Sequence, residues 1–277
     1  MVTNKFLQNL DNIRKVLKDE GVVLTKNFFE KKEIDNLSVE YNYLDKELTN
    51  KEIFKNKPVI VFWKHLVGEQ KRIAAFDQMP NLWNLIKDKI VPFVKKITQR
   101  KKLQLLETII FNKPGTNNSE GGGGNTLHWH QDVAYFPLKP NNQVAVWFPL
   151  ESVSIDGGCL HYALKSHKLG IRGSTDLHTR KKFDGENREL IPEDPQKAGF
   201  KVVPMEMSNQ DILIHDGYTW HYSGPNKLKD YVRKGISVRF IVDECVFDPR
   251  PGQGAAFTKQ ITINPGEKFE GLPFPTM

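Results

Sequence analysis

Residues 125–137 read NTLHWHQDVAYFP and set His128, His130 and Asp132 at alternate positions. Side chains two apart in an extended chain project from one face, so a strand here would aim all three into the same space. The four glycines just upstream, in GTNNSEGGGGN at 115–125, mark a connection that is flexible by composition. They do not form a phosphate cradle, because they precede a strand instead of leading into a helix N-terminus, and no Gly-Lys-Ser/Thr comes after them.

Beyond Leu103 the chain continues in the same manner. Short β-type runs (LQLLETIIF, QVAVWFPLES, GCLHYA, FKVVPME, QDILIHD, GISVRFIVD) are separated by Gly, Pro, Asn and Asp, the pattern of a sandwich or barrel. Upstream the period changes. Phe6, Leu7, Leu10, Ile13, Val16 and Leu17 recur at helical spacing until Gly21, and after the short strand GVVLT a second helix carries Ile34, Leu37, Tyr41 and Leu44 as one stripe. PVIVFWK reads as a strand, and NLWNLIKDKIVPFVKKITQ as a helix that Pro92 should kink. The expectation is a single α+β domain over 1–277, with a helix-rich part at 1–102 and a β core at 103–277. A long polar stretch, 165–197, reads equally as a lid or as plain surface.

Composition is that of an ordinary globular protein, 39% hydrophobic and 26% charged, with no need of disulfide staples. Two cysteines, Cys159 and Cys245, are too few for a disulfide framework and suit a reducing, cytoplasmic setting. No signal peptide or membrane span is legible, since the longest apolar run, VIVFW, is far too short. A net charge of +7 could attract nucleic acid or phosphate, but the lysines are interspersed with acids, as in FEKKEID, and read as a solvated surface; no nucleic-acid or membrane partner is expected.

The His130-Gln131-Asp132 triplet gains its weight from two stretches further along the chain: TWHYSGPN with His221, then RKGISVRF, which Arg233 opens. Two imidazoles and a carboxylate on one face of a metal leave the opposite positions open, as non-haem Fe(II) oxygenases require. An arginine on a neighbouring strand offers a dicarboxylate cosubstrate a planar, permanently charged fork.

WHQDVAYFPLKP, AVWFPLESVSIDGGCLHYALKSHKLG and IHDGYTWHYSGPNKLKDYVRKGIS together resemble the phytanoyl-CoA dioxygenase family of Fe(II)/2-oxoglutarate oxygenases, and DEGVVLTKNFFEKKEIDNL is similar to that family's entry segment. The resemblance implies a double-stranded β-helix (a jelly-roll, cupin-like core) with flanking helices mainly from the N-terminal third. Carried over by position, it implies His130, Asp132 and His221 as catalytic iron ligands, Arg233 for the distal carboxylate of 2-oxoglutarate, and Trp147 against the cosubstrate. Ser237, on the strand face of Arg233, could donate to the same carboxylate. The implied cofactors are Fe(II) and 2-oxoglutarate, with ascorbate as reductant, and the implied partners are O2 and a small-molecule substrate. The chain departs from the family pattern at Ala163-Leu164-Lys165, where a proline-glycine often precedes Ser-His, and the His221–Arg233 interval is one residue longer than the family pattern, which calls for a bulge or longer loop. With Asp132 an acid, no halide site is signalled.

Of the other histidines, His215 is the rival third ligand and is expected to orient the site; His128, His161 and His167 read as structural. Tyr135 and Phe136 read equally as pocket lining or core. The leading expectation is an oxygenase that hydroxylates an unactivated C–H bond of a small molecule, with an acyl-CoA 2-hydroxylase as the alternative. A zinc hydrolase would want a further histidine where Val133 stands, and a non-catalytic jelly-roll binder would be signalled by a decayed triad.

Overall fold

The computed structural model describes residues 10–47, 59–64, 72–115, 126–249, 261, 263–270 and 274–277. The glycine run within 116–125 and the first part of the N-terminal helix expectation lie outside the described residues.

Two facing sheets make the core. The larger runs β1 (Val22–Thr25), β10 (Ile212–Asp216), β7 (Gln143–Pro149), β12 (Val232–Ile241), β4 (Gln104–Pro114), β2 (Val59–Lys64) and β3 (Arg72–Ala75), in that spatial order. The smaller runs β5 (Leu127–His130), β11 (His221–Ser223), β8 (Leu160–Ala163) and β9 (Val202–Met205). A short pair, β6 (Leu138–Lys139) and β13 (Val246–Phe247), stands apart. Apart from β2 on β4, the strand pairings are antiparallel, which is the jelly-roll expected and not the alternating α/β order of a zinc hydrolase. Strands β3, β6, β11 and β13 are too short or too irregular to be legible as period-two runs.

The larger sheet separates two environments through strand alternation. On β12, Ile236, Val238 and Phe240 are wholly buried on one face, with Val144, Val146, Phe148, Ile212 and Ile214 of the neighbouring strands. Helices α1 (Leu10–Glu20), α2 (Lys31–Glu47), α3 (Pro80–Leu85) and α4 (Val91–Thr98) cover that face through Ile13, Ile34, Leu37, Leu82 and Val94. Each such side chain contributes about 1.5–3 kcal/mol by leaving water. The opposite face of β12 carries Arg233, Gly235, Ser237 and Arg239 into the space between the sheets. The helices therefore make the sheet rigid from behind and leave its inner face for polar groups.

Pro92 has the effect anticipated for it. The helix is interrupted by a π turn over Ile86–Ile90, and α4 restarts at Val91 with the proline in its first turn. Among the described residues no helix is long and apolar enough to cross a membrane.

The segment from 170 to 201 has little regular structure but is closely bonded. His128 N donates to the Leu177 carbonyl at 2.8 Å, so this segment runs along the free edge of β5, and the Tyr135 hydroxyl donates to the Thr175 carbonyl at 2.8 Å. Ile191 and Phe200 pack with Trp129 and Trp220 on the outer face of the smaller sheet. It is a fixed flank of the site.

At the departure Ala163-Leu164-Lys165 the chain still makes a left-handed turn, with Lys165 at φ 67° before the 3-10 turn Ser166–Leu169. A Cβ in this region costs about 1 kcal/mol or more, and only glycine escapes it. Lys165→Gly is therefore expected to raise unfolding stability by about 1 kcal/mol, read from the urea midpoint, because the exposed Lys165–Glu20 pair it removes is worth little.

Candidate active site

His130 closes β5 and His221 opens β11, and the antiparallel pairing sets the two directly opposite each other. Their rings lie 4.1 Å apart between centroids. After His130 the chain stays extended through Gln131 (φ −130°, ψ 142°), which keeps the alternation going long enough to turn Asp132 inward as the first residue of a 3-10 turn. Gln131 points the other way and ties down the surroundings, donating to the Gly170 and Tyr218 carbonyls at 3.2 and 2.9 Å. The result is a buried cluster in which ligand atoms of His130, Asp132 and His221 all lie within 4.8 Å of one another.

Both imidazoles are fixed by the same local device. Nδ1 of His130 lies 2.7 Å from the His128 carbonyl and Nδ1 of His221 lies 3.0 Å from the Thr219 carbonyl. A carbonyl only accepts, so Nδ1 carries the proton and Nε2 presents a bare lone pair to the centre. Ser166 steadies the second imidazole: its Oγ donates to the Ala163 carbonyl and accepts Trp220 N at 2.8 Å, just before His221. Two neutral imidazoles and a carboxylate, buried and oriented, are a donor set that fits a divalent iron.

Charge at this end is balanced by residues that motif reading did not select. Arg239 Nη2 donates to Asp132 Oδ1 at 3.0 Å, while Nη1 donates to Glu107 at 3.1 Å. His215 Nε2 lies 3.2 Å from Asp132 Oδ2, and its Nδ1 lies 3.0 Å from the Tyr162 hydroxyl. Burial by itself would raise the Asp132 carboxyl, but Arg239 and then His215 outweigh it and hold the acid well below the usual carboxylate range. His215 thus contacts the carboxylate of the cluster and is not a member of it.

The other end of the inner face is occupied by two cations. Arg233 is 1% exposed, and its Nη1 donates to the Gly158 carbonyl at 2.5 Å and to Ser223 Oγ at 2.9 Å. Lys113, its cross-strand partner on β4, is wholly buried and donates to the Ser223 carbonyl, Ser223 Oγ and the Gly224 carbonyl at 3.1, 2.5 and 2.7 Å. Among the described residues no carboxylate pairs with either, and Arg233 Nε has no hydrogen-bond acceptor. Burial, and then the neighbouring guanidinium, push the Lys113 ammonium well below its ordinary value; burial brings Arg233 to about 10. Two desolvated cations without an anion are costly unless a ligand supplies the anion. His221 and Ser223 share a face of β11 and stand about 7 Å apart along it, so the cationic end and the His-Asp-His end lie within the span of a small dicarboxylate.

Trp147 and Ser237 lie between these ends, opposite each other in the β7–β12 register. The Trp147 ring sits 5.6 Å from the Arg233 guanidinium and occupies the space above Gly235, where a Cβ would come within 2.4 Å of it. The interval from His221 to Arg233 is closed by the turn at Asn226, whose Nδ2 donates to the Lys113 and Tyr231 carbonyls, while the register shift between His221 and Ser223 places its extra residue on β5. His128 shares the ligand face but bonds to the backbone at His178, His161 Nδ1 faces the Cys159 carbonyl, and His167 Nε2 faces the Lys18 carbonyl. Tyr135 reaches the site, its ring edge-on to His130 at 6.1 Å, whereas Phe136 packs in the core beside Arg239. Lys113 escapes motif reading, although the sequence holds one sign of it: a lysine in an otherwise apolar strand, two residues past Phe111 and on its face.

Burial holds the His130 imidazole down to about 4, so in the metal-free protein it stays neutral while an unfolded histidine takes its proton near 6.5. In that window the unfolded chain binds more protons, and acid favours unfolding. The metal-free protein is expected to lose about 3 kcal/mol of stability between the two values, read from urea midpoints near pH 7 and near pH 4, and saturating divalent metal should raise stability at both pH values while leaving that difference in place, because the metal-bound histidine carries no extra proton either.

The family model for phytanoyl-CoA dioxygenase (PhyH) matches residues 17–235. Human peroxisomal phytanoyl-CoA dioxygenase is 23% identical over 268 residues, covering 93% of this chain and 76% of the relative. Among solved structures, the epimerase SnoN in complex with Fe3+, alpha ketoglutarate and nogalamycin RO superposes with a TM-score of 0.70 at 17% identity over 98% of this chain and 99% of the other. The alpha ketoglutarate dependent carbocyclase SnoK from nogalamycin biosynthesis superposes with a TM-score of 0.68 at 19% identity over 96% and 95%. At such identities the superpositions establish a shared fold, whereas the family model spans most of the sequence. The chain belongs to the phytanoyl-CoA dioxygenase family and is a non-haem iron, 2-oxoglutarate-dependent dioxygenase.

Proposed function

We propose that this enzyme hydroxylates an unactivated C–H bond of a free small molecule, with His130, Asp132 and His221 as the iron ligands and Arg233 as the anchor for the distal carboxylate of 2-oxoglutarate. One observation carries the assignment: a buried His-Asp-His cluster and a pair of buried cations without an anion share one inner sheet face. Iron with 2-oxoglutarate and oxygen supplies an oxidant able to take hydrogen from such a bond, releasing succinate and carbon dioxide. The protein's own residues position and shield. Arg233 and Ser223 receive the far carboxylate, Ser237 donates beside them, and Trp147 closes the wall. Ile109 and Phe111 of β4 project inward and pack with each other apart from the main core, which gives the cavity an apolar side for a carbon skeleton.

A free metabolite suits this site better than a coenzyme A thioester. The arginines of the flanking segment each face an acid, Arg172 facing Glu189, Arg180 Glu193 and Arg188 Glu186, so this flank offers phosphates little net positive charge. The intact triad argues against a non-catalytic binder. Two buried free thiols fit the reducing, cytoplasmic setting inferred from composition.

His130→Ala, Asp132→Ala and His221→Ala are each expected to abolish iron-dependent 2-oxoglutarate binding, and Arg233→Met to raise its Kd on the order of a hundredfold, measured by anaerobic calorimetry. Aerobic turnover with Fe(II), 2-oxoglutarate and ascorbate, screened over free metabolites and acyl-CoA thioesters, should release succinate with a member of the first group. Succinate only with thioesters would overturn the substrate assignment; a folded, iron-loaded protein that binds no 2-oxoglutarate would overturn the site.

A further inference from the structure

Asp132 is held by more donors than a metal ligand needs. Oδ2 faces His215 Nε2 at 3.2 Å and is flanked at 3.0 Å by Arg239 Nε, off the axis of a straight hydrogen bond but within ion-pair reach. Oδ1 accepts Arg239 Nη2 at 3.0 Å and is the oxygen that faces the histidines, 3.8 Å from His221 Nε2. Chemistry sets the direction of the remaining contacts. A carboxylate only accepts, so His215 Nε2 carries a proton toward Oδ2, and the Tyr162 hydroxyl holds the other side of the ring, 3.0 Å from Nδ1. Arg239 is itself fixed from behind by Glu107. Every one of these side chains is buried, so solvent cannot substitute for a lost partner.

We propose that Arg239 and His215 are positioning residues that restrict Asp132 to a one-oxygen grip on the metal. The inference rests on the iron-ligand assignment above. Oδ2 is turned to His215 and the guanidinium, and Oδ1 keeps a lone pair on the side of the imidazoles. Were Oδ2 released, the carboxylate could rotate to grip with both oxygens and take a position that the keto acid or oxygen requires. The expected defect is therefore in cosubstrate chelation at a metal that is still bound, which separates positioning from simple support of the fold.

The test uses the full chain loaded anaerobically with saturating Fe(II), with 2-oxoglutarate affinity and the visible iron-to-keto-acid charge-transfer band as readouts. Arg239→Met and His215→Ala are expected to weaken 2-oxoglutarate binding on the order of tenfold and to shift the band, with metal affinity lowered by about tenfold or less. His215→Gln, whose amide can still donate to Oδ2, should return both readouts to near the wild-type values, and it serves as the decisive variant if Arg239→Met fails to fold. Variants that bind 2-oxoglutarate as the wild type does once saturated with metal, with an unmoved band, would refute the positioning role. A wild-type protein that binds neither iron nor 2-oxoglutarate would instead refute the ligand assignment.

Discussion

His130 and His221 come from distant parts of the chain and meet because β5 and β11 lie antiparallel with these residues opposite each other. Cross-strand neighbours in such a ladder have Cβ atoms about 5 Å apart, close enough for two inward imidazoles to address one ion. The rest of the site is arranged around that register. Tyr162 stands opposite His221 on the other side of β11 and stacks against it at 5.6 Å, so the second imidazole is confined between strands. A slip of one residue in either pairing would turn the two imidazoles out of the cavity.

The two faces of the larger sheet explain how a cavity with so many charges can exist in a stable fold. Apolar residues of β7, β10 and β12 bury outward against the helices, and that packing holds the backbone while the inner face carries Arg233, Lys113, Arg239, Glu107 and His215. The charges are arranged by position along the strands. At the Asp132 end, acid and guanidinium neutralise each other; at the Ser223 end, two cations meet only neutral oxygens. An electrostatic gradient of this kind favours one orientation of an entering dianion, its far carboxylate toward the cationic end.

Several backbone devices serve this arrangement. The HYSGPN stretch carries His221 of the cluster, then Ser223 as the shared acceptor of Lys113 and Arg233, and then Asn226, whose amide fastens the turn to β4. Gly158 allows the close approach of this turn: a Cβ there would come within 2.8 Å of the Gly224 carbonyl, and the Gly158 carbonyl is itself an acceptor for Arg233. The long polar stretch 165–197, which composition left open between lid and plain surface, is fixed along β5 by backbone bonds and by aromatic packing on the sheet's outer face.

Local pattern in the sequence determined the elements. Period-two runs announced most strands, helical stripes announced α1 and α2, and the alternation of His130 and Asp132 was readable because the distance between i and i+2 in an extended chain is set by covalent geometry alone. Arg233, Trp147 and Ser237 were legible through family motif and strand parity, and they do lie on one face. Lys113, Tyr162, His215 as a carboxylate donor, and Arg239 were not, because each acquires its partner only across strands far apart in the chain. The motif around His221 favoured it over His215 in the sequence; tertiary structure decided how the rival is used, since His215 stands on a strand of the other sheet and meets Asp132 from there. Pairing register, a collective property of two sheets, carries that information, and no short window of residues contains it.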